Sequence, residues 1–148
     1  RTYVWQRGTL TQLTVDHSAV QDLVDSGAIS REEADSHPER NVVTRAMGVD
    51  DDPDADVWLI PTGGEQLFIM CSDGLTKELS DGQISDLIRT CANPYDSDDL
   101  AVTLVAEAVA AGGHDNVTVV AVGAVWTDGD SEGSTPLPAF LEETVPRT

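Results

Sequence analysis

The chain has 148 residues, a length suited to one globular domain with a two-layer core. Eight Lys and Arg stand against 27 Asp and Glu, a formal net charge of −19. That balance argues against a nucleic-acid backbone or an anionic membrane as the main partner, and is compatible with cation binding or with a merely soluble, salt-adapted surface.

"TYVWQRGTLTQLT" reads as a hairpin, with two β-rich runs flanking a tight turn at Arg7-Gly8. The chain opens inside this strand-like run, as a fragment would. Val20, Leu23 and Val24 then share one helical face, with Gly27 as the C-cap and Asp16 or Ser18 as the N-cap. Ser30 and Glu33 have the spacing of a capping box for a short second helix, which His37-Pro38 stops. "NVVTRAMG" reads as a short strand closed by Gly48. Arg45 beside it is open to a structural salt bridge or an oxyanion contact. "DDDPDAD" is an acidic loop; Asp50, Asp51, Asp52, Asp54 and Asp56 lack the calcium-loop pattern ending in Glu.

"VWLIP" and "EQLFIMC" are expected to pair antiparallel around Thr62-Gly63-Gly64, and the apolar run Leu67 to Met70 to be buried on both faces. An amphipathic helix follows through Ile84, Leu87, Ile88 and Cys91, capped by Ser80 or Asp81. A second, capped by Ser97 or Asp98, turns Leu100, Leu104, Val105, Ala108 and Val109 inward and ends at Gly112-Gly113. "NVTVVAVGAVW" is strand-forming, and residues 126–148 have the composition of a linker or tail. Five or six strands paired by short turns, with three or four helices, make an α+β fold. Cys71 and Cys91 are not in CxxC spacing and read as buried or half-buried thiols. The lack of a leader-like start or a bilayer-length apolar run makes a reducing, cytoplasmic setting the expectation.

Two places join a strand end, an aspartate and a small or amide residue: Asp73-Gly74 after "LFIMCS", and Asp115-Asn116 before "VTVVAV". Carboxylates at strand ends are common surface caps. They are also the ligands that hard cations such as Mg²⁺ and Mn²⁺ take at the rim of a rigid scaffold, and Gly74 would let the backbone pass close to such a site. Spacing alone leaves both readings open. Asp16-His17-Ser18 has triad-like residue types, but triad members meet across a fold rather than as neighbours, so a helix cap with a local histidine bond is the better account. His114, alone in a Gly-rich loop, carries little.

Taken in order, "GTLTQLTVDHS", "NVVTRAMG", "LFIMCSDGLTKELSDGQI" and "GGHDNVTVVAV" resemble the bacterial branch of the PP2C-type metal-dependent protein serine/threonine phosphatases. The resemblance implies a four-layer α-β-β-α sandwich with two or more Mn²⁺ or Mg²⁺ ions at one edge. It makes Asp73 and Asp115 metal ligands, with Gly74 and Asn116 supporting their loops, and assigns no residue here as nucleophile. Attack would come from a water bridging the metals. Residues 1–125 correspond to the C-terminal part of the domain, with the flap near 19–40. Complete members carry a further N-terminal half that supplies outer strands, an Asp bound to both metals, a neighbouring acidic ligand and a phosphate-contacting arginine.

The implied function is hydrolysis of phosphoserine and phosphothreonine in proteins by the complete parent protein, including proteins phosphorylated by a bacterial Ser/Thr kinase. The 148 residues alone are expected to be inactive, and to need the missing half or another chain to complete the fold. The alternative is a pseudophosphatase or regulatory module that uses the fold to bind a protein partner.

Overall fold

The computed structural model describes residues 1–46, 48–49, 55–61, 63–91, 93–95 and 98–126. They fall into two compact units, one built from 1–14 with the chain beyond Val57, the other from Val15–Val57.

The first unit is a four-stranded antiparallel sheet with helices on one face. Its strands are β1 (Thr2–Gln6), β2 (Thr9–Gln12), β3 (Gly64–Cys71) and β4 (Val119–Trp126), in the order β2-β1-β3-β4. The expected hairpin forms: Gln6 pairs with Thr9, and both turn residues have positive φ, 52° at Arg7 and 80° at Gly8. A two-residue turn of that hand matches the right-handed twist of its strands.

Alternation then sorts the side chains. Tyr3, Trp5, Leu67 and Ile69 point to one face and are buried. Against them pack Leu75 and Leu79 near helix α3 (Asp73–Glu78), Ile84 and Ile88 of α4 (Asp81–Thr90), and Leu100, Leu104 and Ala108 of α5 (Asp98–Ala111). Each fully buried Leu or Ile contributes about 1.5–3 kcal/mol. Two contacts fix the layer. The Tyr3 hydroxyl donates to Asp81 Oδ1 at 3.0 Å, at the first turn of α4. The Arg89 guanidinium lies 5.4 Å from the Trp5 ring centroid and donates to the Gly8 carbonyl at 3.2 Å. Burial, above all, pushes the Tyr3 hydroxyl well above the usual phenol range.

The opposite face carries Val4, Phe68, Met70, Val120, Val122, Ala124 and Trp126, aligned by the pairings Val4–Phe68, Phe68–Val122 and Met70–Val120. Away from the buried Gln66 it is apolar and open: Met70 is 39% exposed, Val122 44% and Val120 49%. The expectation that Leu67 to Met70 is buried on both faces is therefore corrected: Met70 is exposed, and the described residues cover this side only at one end, where Gln66, 2% exposed, donates to the Pro61 carbonyl and accepts from Trp126 Nε1.

Three other expectations change. Residues 57–61 form no strand, since β3 already spends one edge on β1 and the other on β4. The turn proposed there includes Thr62, outside the described residues. Val109 is 58% exposed, because the buried stripe of α5 runs through positions 100, 104 and 108 and leaves it to one side. The described residues hold four strands and five helices, with α3 the helix not foreseen. Ser97 and residues 127–148, with the proposed α5 cap and tail, lie outside the described residues.

The second unit contains the stretch 19–40 and two short helices, α1 (Ala19–Asp25) and α2 (Arg31–Ser36). Ser18 accepts the Gln21 N–H to cap α1, and the N–H groups of Gly27 and Ala28 return to Val24 and Leu23 in a Schellman closure. Ser30 and Glu33 form the capping box. The Ser30 backbone N–H, followed by its hydroxyl, holds the Glu33 carboxyl below its usual range. "NVVTRAMG" gives only an isolated bridge, Val43 to Ser18, with no continuous partner to extend it. Asp56 closes the unit, 2.5 Å from His17 Nε2 and 3.4 Å from the Arg45 guanidinium. His17 first, and then Arg45, lower the Asp56 carboxyl pKa, which gives Arg45 the structural ion pair of its two readings.

Candidate metal centre

Strand β3 delivers the chain into Ser72 and Asp73, and the loop after α5 delivers it into Asp115 just before β4. Since β3 and β4 are neighbours paired from Gly64–Trp126 to Cys71–Val119, the end of one and the beginning of the other emerge together. The sheet register thus brings Asp73 and Asp115, forty-two residues apart in sequence, to one surface.

Ser72 clasps the two segments. Its backbone N–H donates to the Thr118 carbonyl at 3.0 Å, its hydroxyl donates to the Asn116 carbonyl at 3.1 Å, and the same oxygen accepts the Thr118 N–H at 3.0 Å. Gly74 completes the fit. A Cβ at this position would stand 2.2 Å from the Asn116 carbonyl oxygen, so only glycine permits the approach. The backbone of Asn116 is the supporting element on the other side, and its N–H also donates to Asp115 Oδ1 at 2.8 Å.

Between the carboxylates lies an ammonium. Lys77, one turn along α3, places Nζ 2.8 Å from Asp73 Oδ2 and 2.7 Å from Asp115 Oδ2. The Lys77 bond, and then the Asn116 N–H, hold the Asp115 carboxyl below the usual carboxylate range. Reciprocally, the bonds to Asp115 and then Asp73 raise the Lys77 pKa.

A third contact braces the Asp115 loop. Glu78 Oε1 accepts the His114 backbone N–H at 3.1 Å and lies 2.9 Å from His114 Nδ1. The Glu78 side chain is 8% exposed and the His114 ring 82%, so the carboxylate is the fixed partner. The His114 N–H, followed by the ring, lowers the Glu78 pKa.

Ser72, Lys77 and Glu78 were not among the sequence candidates. Lys77 carried a signal: it is a basic residue in an acidic stretch, four positions after Asp73 and hence on its helical face.

The donor set fits part of a hard-cation site. Two carboxylates face one span, on loops set by backbone contacts, and a positive charge already sits there. Among the described residues no group of three or more His, Cys, Asp or Glu could hold a metal ion, so these two alone would make only part of a coordination shell.

Known proteins bear on this arrangement. The family model described as Protein phosphatase 2C matches residues 13–117. The serine/threonine phosphatase stp of Listeria welshimeri is 36% identical over 122 residues, covering 82% of this chain and 47% of stp. The structure of a Streptococcus agalactiae serine/threonine phosphatase matches with a TM-score of 0.75 at 33% identity, over 85% of this chain and 50% of that one. The catalytic domain of the serine/threonine protein phosphatase PstP, in complex with two manganese ions, matches with a TM-score of 0.69 at 32% identity, over 84% of this chain and 49% of that one. The chain spans about half the length of stp and at most that share of the other curated relatives it matches. A family model spanning most of the chain, and a fold that brings Asp73 beside Asp115, establish that this chain belongs to the protein phosphatase 2C family.

Proposed function

We propose that the protein containing this chain hydrolyses phosphoserine and phosphothreonine in other proteins, and that Asp73 and Asp115 hold divalent cations, Mn²⁺ or Mg²⁺, for that reaction. The observation that carries the reading is the meeting of Asp73 and Asp115 across the β3–β4 register, with Lys77 between them. Named relatives are serine/threonine phosphatases, and the PstP catalytic domain was solved with two manganese ions.

Residues 1–125 form the C-terminal part of the phosphatase domain in this reading, with the flap near 19–40. The apolar face bearing Met70, Val120 and Val122 receives the second sheet of the sandwich, supplied by sequence outside this chain. That sequence also supplies the remaining ligands.

Each residue of the site has a physical task. Asp73 offers its carboxylate from the first turn of α3, and Asp115 offers a second from the facing loop. The Lys77 bond, and then the Asn116 N–H, favour the ionised Asp115 carboxylate, the form that binds a cation. Gly74 and Ser72 set the distance between the two loops. Divalent metals, when bound, supply a water acidic enough to attack phosphorus at neutral pH and positive charge for the phosphoryl oxygens. Neither aspartate is a nucleophile. A phosphorylated side chain on a protein surface suits such a rim site, and a net charge of −19 disfavours nucleic acid as a substrate. No helix of the described residues is long and apolar enough to cross a membrane.

The test is hydrolysis of a phosphothreonine peptide by the full-length protein with Mn²⁺, alongside Asp73→Asn and Asp115→Asn. Both changes keep shape and remove charge. Loss of turnover in both is expected; full activity in either variant sinks the assignment.

A further inference from the structure

We propose that Lys77 is a tethered counter-ion that fills the space between Asp73 and Asp115 in the metal-free protein, so that a divalent cation binds there by displacing it. The inference rests on the reading of those two aspartates as metal ligands.

Geometry supplies the first argument. Nζ lies 2.8 Å from one Oδ2 and 2.7 Å from the other, so the ammonium stands in the span that a metal bound by both carboxylates would use. Lysine is a compact point charge on a flexible stem, with three donors that turn to suit their acceptors. The contact is permitted because Asp73 and Lys77 are four residues apart on one helix and Asp115 is presented opposite. A dication and an ammonium cannot share this span, since they repel while competing for the same oxygens.

The second argument separates a competitor from an organiser. If Lys77 were what holds the two loops together, removing it would loosen the site. Other contacts already do that work. Ser72 bonds to Asn116 and Thr118, the Gly74 backbone abuts the Asn116 carbonyl, and Glu78 braces His114. None of these passes through Lys77. Its side chain is 40% exposed, so the stem can swing into solvent without leaving a cavity. The lysine therefore offsets one of the two facing negative charges in the metal-free state and lowers the affinity of whatever cation replaces it.

The measurement is equilibrium Mn²⁺ binding to the full-length protein, read by electron paramagnetic resonance of the free ion. Wild type is compared with Lys77→Met, Lys77→Gln, Lys77→Arg and Asp73→Asn. The Mn²⁺ lost in Asp73→Asn defines the site. At that site Lys77→Met and Lys77→Gln are expected to bind about three- to tenfold more tightly, the worth of two exposed ion pairs. Lys77→Arg keeps the charge and stays near wild type. Unchanged or weaker binding in both neutral variants overturns the proposal, and weaker binding would make Lys77 an organiser. Should Asp73→Asn bind as much Mn²⁺ as wild type, the metal-ligand reading itself fails. Should it lose Mn²⁺ while the neutral Lys77 variants match wild type, only the counter-ion fails.

Discussion

Gly74 lies so close beneath the Asn116 carbonyl that a Cβ there would stand 2.2 Å from its oxygen and 2.9 Å from its carbon. The contact is backbone against backbone, so no side-chain rotation relieves it. Gly74→Ala must move the Asp73 loop away from the Asp115 loop. Expected are a loss of about 1–3 kcal/mol in denaturant unfolding and a clear fall in Mn²⁺ affinity. Unfolding and Mn²⁺ titration of the full-length variant check both; a variant matching wild type in both would show that the loops need not touch.

Glu78 gives a finer test, since among the described residues its carboxylate bonds the His114 amide and ring. Glu78→Gln keeps an acceptor oxygen at the same reach and should leave Mn²⁺ binding near wild type. Glu78→Ala removes it, and affinity should fall by up to about tenfold, as for other residues that orient a ligand from behind. Comparing the pair by Mn²⁺ titration separates bracing from overall stability. Equal affinities in the two variants would count against the brace.

Tyr3 predicts an alkaline limit. Its folded pKa is raised, chiefly by burial, above the ordinary value of 10.0. A raised folded pKa means that the unfolded chain releases this proton first as pH rises. The stabilising contribution is complete below about pH 10 and is lost as pH climbs toward the folded value. Unfolding midpoints should drop above pH 10 in wild type, and Tyr3→Phe should flatten that drop. An identical alkaline profile in Tyr3→Phe would remove Tyr3 as the cause.

The open sheet face makes a prediction about the whole protein. If another layer covers Met70, Val120 and Val122, a charge at Val122 is buried there. Val122→Lys should then cost about 2–4 kcal/mol in the full-length protein. Val102→Lys, on the 70% exposed side of α5, should cost little. Equal tolerance of the two, measured by thermal unfolding, would mean that the face stays open.

What could be read in advance follows the range of the interactions. The hairpin, the Ser30–Glu33 capping box and α4 are decided by neighbours a few residues apart, and each stands where the residues put it. The run 57–61 has strand-forming residues but no strand, because pairing partners are allotted by the whole sheet and β3 had none left to give. The same holds at the site. Asp73 and Asp115 could be named from their motifs, yet their meeting depends on the β3–β4 register. Ser72, Lys77 and Glu78 gain their roles only from that meeting.

Strand β4 is the outer strand of the described sheet beside β3, and its eight residues, "VVAVGAVW", carry no charge. An edge of that length and composition, with Val120 and Val122 also exposed on its face, is a template for adding strands from other molecules. Produced without a covering layer, the chain would be prone to assemble through β4 into sheets that grow from one molecule to the next. A lysine at Val120 or Val122 would then act as a gatekeeper, keeping the isolated half dispersed while barring the layer that completes it.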